Sequence, residues 1–329
     1  MIAGLAAQLK GEGVIWTGER NRQQGRLVAE MHEAAAAAAV PAERFAVIAG
    51  GLPGSDKAAA LAEASIDPSR YLTVSIDDIL VRMAARQLIP PADPAGPGED
   101  GLSPLTRAER VHGEAQFVAK RAGLLALTGG RNLILDISLA SWRAAESWTY
   151  ALRFADYAVD AVFADIGIEE AVRRSEEAHR RGEEEFRRGH GYGGRYPRAQ
   201  AIRALAIPAA AEPRNRIRWA VGARSAGTIG GTVGTGAFPA GAVTAMITSF
   251  RDGKSTLDDL SLEFRARRWP QVPDVCPPEL EQARVAIDDP EPYVPGSFDD
   301  VVLAYDRGWL SDPDYHVLSG AAAADLPGA

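Results

Sequence analysis

The chain has 329 residues, 46% of them hydrophobic, enough to bury one large core or two smaller ones. Its 36 basic and 44 acidic residues give a net charge of −8, which excludes a molecule whose whole surface is made for nucleic acid. The single cysteine, Cys276, excludes an internal disulfide framework and a thiolate metal cage.

The opening residues, MIAGLAAQLKGEG, lack the basic start and sustained apolar run of a secretory signal. No window approaches 18 consecutive uncharged apolar residues, so a membrane span is not expected. A soluble cytoplasmic protein is the expectation. Residues 17–39 have helical period, with Leu27, Val28 and Met31 on one face. Short apolar runs then mark strands at 45–49, 71–76, 132–136 and 159–165. None alternates strictly, as expected for strands covered on both faces of a parallel sheet. Helical stretches fall between them, near 57–65, 79–87, 107–128, 139–155 and 168–188, with a Pro/Gly-rich surface loop at 90–104. This alternation predicts a three-layer α/β domain with helices on both faces of the sheet and right-handed crossovers. The pattern changes after about residue 205. Residues 222–241 are too rich in glycine for a regular helix and read as a flexible surface loop. Helices are expected at 241–251, 255–267, 297–308 and 312–323, around a proline-rich stretch at 270–293. The division predicted is an N-terminal helical segment over 1–40, a catalytic-type domain over 41–205, and a mostly helical C-terminal extension over 206–329.

Residues 50–58 read GGLPGSDKA and follow the apolar run Phe45-Ala46-Val47-Ile48. A strand, a glycine-rich turn and a lysine opening a helix form the layout of a phosphate-binding loop, whose backbone N–H groups face an anion. The full pattern is G-x-x-x-x-G-K-[ST]. Gly51 and Lys57 match it, and Pro53, Gly54 and Ser55 form the turn between them. Asp56 stands in place of the second glycine and Ala58 in place of the hydroxyl that holds magnesium. The first puts a carboxylate where triphosphate would sit, and a side chain where positive φ is often needed. Together the two changes are expected to weaken nucleotide binding.

Asp77 and Asp78 end the second predicted strand, at the sheet edge where open α/β sheets bind ligands. Asp78 suits the N-cap of the next helix; Asp77 is assigned to the site, where an acid can take a proton from an attacking hydroxyl. Asp136 and Ser138 close the third strand. Asp136 can hold magnesium through water or bond a substrate hydroxyl, and Ser138 can equally be a helix cap. Glu114 reads as a solvated helix charge that could also face the crevice. Arginines crowd residues 173–198, and most stand in i, i+4 register with glutamates, as on a solvated ion-paired helix. The segment Gly189-His190-Gly191-Tyr192-Gly193-Gly194-Arg195-Tyr196-Pro197 reads instead as a mobile loop delivering a guanidinium. The histidines show no metal-ligand spacing, and no metal ligand is assigned.

These residues, in this order, resemble the zeta-toxin family of phosphate-loop kinases, especially its long actinobacterial-type members. The resemblance spans about 14–205. It rests on Trp16-Thr17-x-Glu19-Arg20, on Val47 through Ser55, on Ser75-Ile76-Asp77-Asp78-Ile79 and on Gly101-Leu102-Ser103-Pro104. His112-Gly113-Glu114-Ala115, Gly130 through Ser138, His179-Arg180-Arg181-Gly182 and Gly193-Gly194-Arg195-Tyr196-Pro197 extend it. It implies a P-loop NTPase-like sheet and a kinase using ATP or GTP with Mg2+, acting on a sugar hydroxyl of an acceptor such as UDP-N-acetylglucosamine. It implies Lys57 as the phosphate-loop lysine and Asp77 as catalytic base. Arg180 and Arg195 would approach the transferring phosphate, and Glu114, Asp136 and Ser138 would line the acceptor site. A protein antitoxin is the implied partner. The chain departs from the family at Asp56, Ala58, Ser75 and Ala178. The reading left open beside kinase activity is an impaired pseudokinase that binds a nucleotide sugar or a protein.

Overall fold

The structure, a computed structural model, describes residues 6–7, 15–16, 18–91, 101–138, 142–196, 199–206, 241–270 and 287–323. Its centre is a parallel sheet of β3 (Phe45–Gly51), β4 (Leu72–Ser75), β5 (Leu133–Ile137) and β6 (Ala158–Ala164), in the order β4-β5-β3-β6. A separate antiparallel pair, β1 (Ala6–Ala7) with β2 (Ile15–Trp16), was not expected from sequence.

Alternate residues of these strands point to opposite faces, and both faces are apolar. Ala46, Ile48, Val74, Leu133 and Leu135 face one way and join the main core. That core is closed by α1 (Gly18–Ala37), α3 (Ile76–Ala85), α4 (His112–Gly129) and α5 (Trp142–Phe154). Val47, Ala49 and Ile134 face the other way, against Leu61 of α2 (Lys57–Glu63). The sheet is thus flanked by helices on both faces, as the sequence predicts. Strand β3 lies between β5 and β6, so the chain leaves it toward one edge and later returns to its other side. The crevice at the carboxyl ends of such strands is where open α/β sheets place ligands.

Helix α4 is buried nearly all round, because it meets α1, the sheet and the C-terminal part at once. A 3-10 helix at Leu105–Val111 leads into it, where an α-helix from 107 is predicted. It ends at Gly130, whose φ of +67° lets its N–H bond back to Ala126 and Leu127. Helices α6 (Ile168–Arg187) and α7 (Ala199–Leu205) follow β6, and α7 carries no prediction. Among the described residues the C-terminal part holds α8 (Ala242–Arg251), α9 (Leu257–Ala266), α10 (Asp299–Asp306) and α11 (Asp312–Ala323), close to the predicted spans. It is less separate than the predicted boundary suggests: Phe117 of α4 sits in its core beside Val301, Val302 and Phe264. Among the described residues no helix is long and apolar enough to cross a membrane. Residues 222–240 of the predicted 222–241 loop and Cys276 lie outside the described residues, as do residues 92–100 of the 90–104 loop.

Candidate active site

The glycine-rich turn forms as its sequence asks. Gly54 takes the positive φ, at +83°, and the Ser55 N–H donates to the Leu52 carbonyl at 2.9 Å. Gly51 must be glycine, since a Cβ there would lie 2.5 Å from Ser55 Oγ and 2.9 Å from the Ala164 carbonyl oxygen. The positive φ expected at position 56 is not required: Asp56 sits at φ −87°. Its carboxylate accepts the Ala59 N–H at 2.9 Å and caps α2, a contact usually worth about 1 kcal/mol. Asp56 therefore already places a negative charge at the start of that helix. Pro53 and Ser55 line the turn half-buried, and the Ser55 hydroxyl is buried without a hydrogen-bond partner.

Lys57 crosses from the start of α2 to the end of β5, where its ammonium is ion-paired with Asp136. Burial acts to lower the lysine pKa, but Asp136, Asp288 and Asp77 outweigh it, so Lys57 is held charged and above its usual range. The three carboxylates belong to one electrostatic cluster with this lysine.

The other cation of the cluster is Arg195. Its Nη1 donates to Asp77 Oδ1 at 2.7 Å and to Asp288 Oδ1 at 2.6 Å. Its Nη2 donates to His112 Nδ1 at 3.3 Å. The His112 Nε2 in turn lies 3.0 Å from the Ile287 carbonyl oxygen. These two contacts require one tautomer, with the proton on Nε2 and Nδ1 accepting. Burial and the neighbouring guanidinium push His112 down to about 3, so the ring is neutral. Asp77 keeps 66% of its side chain exposed at the carboxyl end of the sheet. Crowding by its neighbours acts to raise its pKa, but Arg195 overrides this and holds the carboxyl below its usual range. Asp288 is enclosed, and burial pushes it up to about 7 against the pull of Arg195. One guanidinium thus separates an exposed, acidic carboxyl from a buried one of near-neutral pKa.

The predicted strand end at Asp77 is corrected: α3 already begins at Ile76, so Asp77 and Asp78 lie in its first turn, where the helix dipole favours carboxylates. The N-cap position is Ser75, not Asp78. Burial raises the Asp78 pKa, with Arg82 opposing.

The loop carrying Arg195, which the sequence reads as a mobile arm, makes several polar contacts to the segment at 103–106 and to α6. Its Gly194 carbonyl lies 3.2 Å from Thr106 Oγ1 and 2.9 Å from His179 Nδ1. The Gly194 N–H donates to Glu183 Oε1 at 3.2 Å, and the same oxygen accepts from Thr106 Oγ1 at 2.8 Å and from Ser103. Gly193 needs its φ of +93°, and any side chain there would overlap Ser103. Glycines at 182, 193 and 194 let this loop press against α6 backbone to backbone.

The remaining predicted residues fare differently. Ser138 is buried, and its N–H and hydroxyl donate to Asp289 Oδ1 at 2.7 and 2.9 Å. Glu114 is not a solvated charge. It is buried, accepting two hydrogen bonds from Arg20 at 2.7 and 2.6 Å and one from Gln24 at 2.7 Å, so α1 claims its carboxylate. Arg180 is exposed on α6 and makes none of the cluster's contacts, whereas Arg173 and Arg174 pair with Glu170 as a solvated helix should. His112, Asp288 and Asp289 were missed. Two consecutive acids within a proline-rich tail were the available signal, but only the fold brings them to β5 and Arg195. Among the described residues no group of three or more His, Cys, Asp or Glu is arranged to hold a metal ion.

Comparison with known proteins finds no matching family model, no matching curated protein and no matching solved structure.

Proposed function

We propose that this crevice is a phosphotransferase site of the zeta-toxin type, moving the γ-phosphate of ATP or GTP to a hydroxyl of a small acceptor such as UDP-N-acetylglucosamine. One observation carries the reading. Lys57, Asp77, Asp136 and Arg195, which lie on four separate segments, converge at the carboxyl edge of a parallel sheet ordered β4-β5-β3-β6. A P-loop NTPase-like arrangement needs that convergence, with the glycine turn after β3, the strand between β5 and β6.

ATP or GTP would supply the phosphoryl group. The residues fit that group in part: the turn at 51–55, Lys57 and Arg195 offer donors and two positive charges around one crevice. Phosphoryl transfer asks mainly for positioning and charge stabilisation, and a well-placed arginine contributes roughly 10³–10⁵ in rate. Asp77 is exposed and ionised at neutral pH, so it can orient an acceptor hydroxyl and take up its proton. For Mg2+ the residues do not fit: the Ala58 side chain has no oxygen to offer and Asp136 is paired with Lys57.

The second reading, an impaired pseudokinase that binds a nucleotide sugar or protein, is favoured by Asp56. Its carboxylate takes a helix N–H and repels a triphosphate. Calorimetric titration with magnesium-ATP and magnesium-GTP, with phosphoryl transfer to UDP-N-acetylglucosamine, separates the two. The kinase reading expects native binding in the micromolar range, lost in Lys57→Ala, and turnover lost in Asp77→Asn. Binding and transfer seen only after Asp56→Gly with Ala58→Ser would leave the pseudokinase reading standing alone.

A further inference from the structure

The segment around Asp288 is anchored to the α/β part along its length. The Ile287 carbonyl accepts from Gln116 Nε2 at 2.9 Å, and the Asp289 carbonyl accepts from the same nitrogen at 3.1 Å. Trp148 Nε1 donates to the Glu291 carbonyl at 3.2 Å, and Ser147 Oγ to the Tyr293 carbonyl at 2.9 Å. The Glu291 carboxylate meets the buried Lys120 ammonium at 2.9 Å, and Asp289 clasps Ser138. Two helices and one strand end therefore fix the backbone on either side of Asp288. The C-terminal part thus sets Asp288 against the end of the sheet through bonds on both sides of it.

A single guanidinium nitrogen then lies between two carboxylates, 2.6 Å from Asp288 and 2.7 Å from Asp77. We propose that Asp288 is a positioning residue of this site: it competes with Asp77 for Arg195, holds the guanidinium at the crevice and keeps Asp77 available to an incoming hydroxyl. Without that competition Arg195 would be drawn closer onto Asp77 and mask it. The effect on turnover rests on the phosphotransferase reading; the placement of Arg195 does not.

The charged groups acting on Asp288 are Arg195, Asp77 and Lys57, and the neutral ring of His112 meets the other nitrogen of the same guanidinium. Since burial pushes Asp288 up to about 7, it is protonated below that pH and loosens its ionic hold on Arg195. Above it, Asp288 is ionised and the competition is complete. Transfer activity is therefore expected to rise as pH passes through about 7. Asp288→Asn resembles the protonated form at every pH. Its rate at pH 8 should fall by about tenfold or more, in the range where small misplacements cost up to about 10². Its KM for nucleotide should stay near native and its step near neutral pH should vanish, while Asp288→Glu should restore part of that step.

A second measurement needs no turnover. Carbon-13 labelling of aspartate side chains should show the Asp288 carboxyl titrating near neutral pH in the native chain. In Asp77→Asn, which removes the competing carboxylate, that titration should move to lower pH. A role in folding alone would not produce this cross-effect, and it can be read even if Asp288→Asn does not fold. An Asp288 carboxyl that titrates near pH 4 and ignores Asp77→Asn overturns the proposal, as does an unchanged rate and pH profile in Asp288→Asn. If the cross-effect is present but the native chain transfers no phosphate, the placement stands and the phosphotransferase reading falls.

Discussion

Gly193→Ala is the substitution by which the structure ties one backbone atom to the chemistry two residues away. Gly193 has φ +93°, and its added Cβ would overlap the Ser103 side chain and lie 2.7 Å from Glu183 Oε1. Left-handed backbone costs a residue with a side chain roughly 1–2 kcal/mol, and overpacking typically adds about 1–3 kcal/mol. The local cost is therefore about 2–5 kcal/mol, a large part of the roughly 5–15 kcal/mol that stabilises an ordinary domain. The loop can escape most of that cost by letting go of Glu183, Thr106 and His179, which hold Gly194 through half-buried contacts. Detachment would carry Arg195 away from Asp77 and Asp288. The expected outcome is a modest drop in the urea midpoint, fast amide exchange over residues 191–196, and loss of whatever activity depends on Arg195. Adding Ser103→Gly removes the overlap but not the backbone strain, so it should recover only part of the loop's protection. If Gly193→Ala shows native exchange in the loop and a native midpoint, the packing of this loop against α6 has been misread.

Two further outcomes follow from the buried charges. Arg121 and Asp306 are almost fully buried, with Asn21 and Gln24 accepting from the same guanidinium at 3.0 and 3.1 Å. Asp306→Ala strands that charge and should cost about 3–5 kcal/mol in urea unfolding, whereas Arg121→Met with Asp306→Leu should be far milder. A loss under about 1 kcal/mol in the single variant would refute the assignment. Asp300 accepts from the Tyr293 hydroxyl at 2.7 Å, and burial pushes it up to about 6. Because this acid's pKa is raised on folding, its contribution is full below the unfolded value near 4 and is lost as pH rises through about 6. Native stability relative to Asp300→Asn should fall over that window by about 3 kcal/mol, an order-of-magnitude figure. A difference that does not change with pH would count against it.

Much of the fold was legible because its signals are local. Apolar runs such as Phe45 through Ile48 and Leu133 through Leu135 are long enough for strands, and their lack of alternation announces cover on both faces. Boundaries were less legible. The helix after β4 begins at Ile76 because tertiary packing buries Ile76, Ile79 and Leu80, overriding the cap that Asp78 could have made. Glu114 illustrates the same limit: helical spacing cannot show that α1 covers it with Arg20 and Gln24.

By itself, then, the amino-acid order determined the α/β alternation, the glycine turn at 51–54, the lysine that follows it and the acids near the strand ends. Each follows from steric rules or periodicities that act over a few residues. Only the tertiary structure decided which charges meet. Lys57 pairs with Asp136 across 79 positions, and Arg195 is shared by Asp77 and Asp288 across 118 and 93. Such pairings depend on how the sheet is ordered and how the C-terminal part is laid against α4. Coulomb attraction then selects among the groups that packing has already brought close, and no short-range pattern in the chain records that selection.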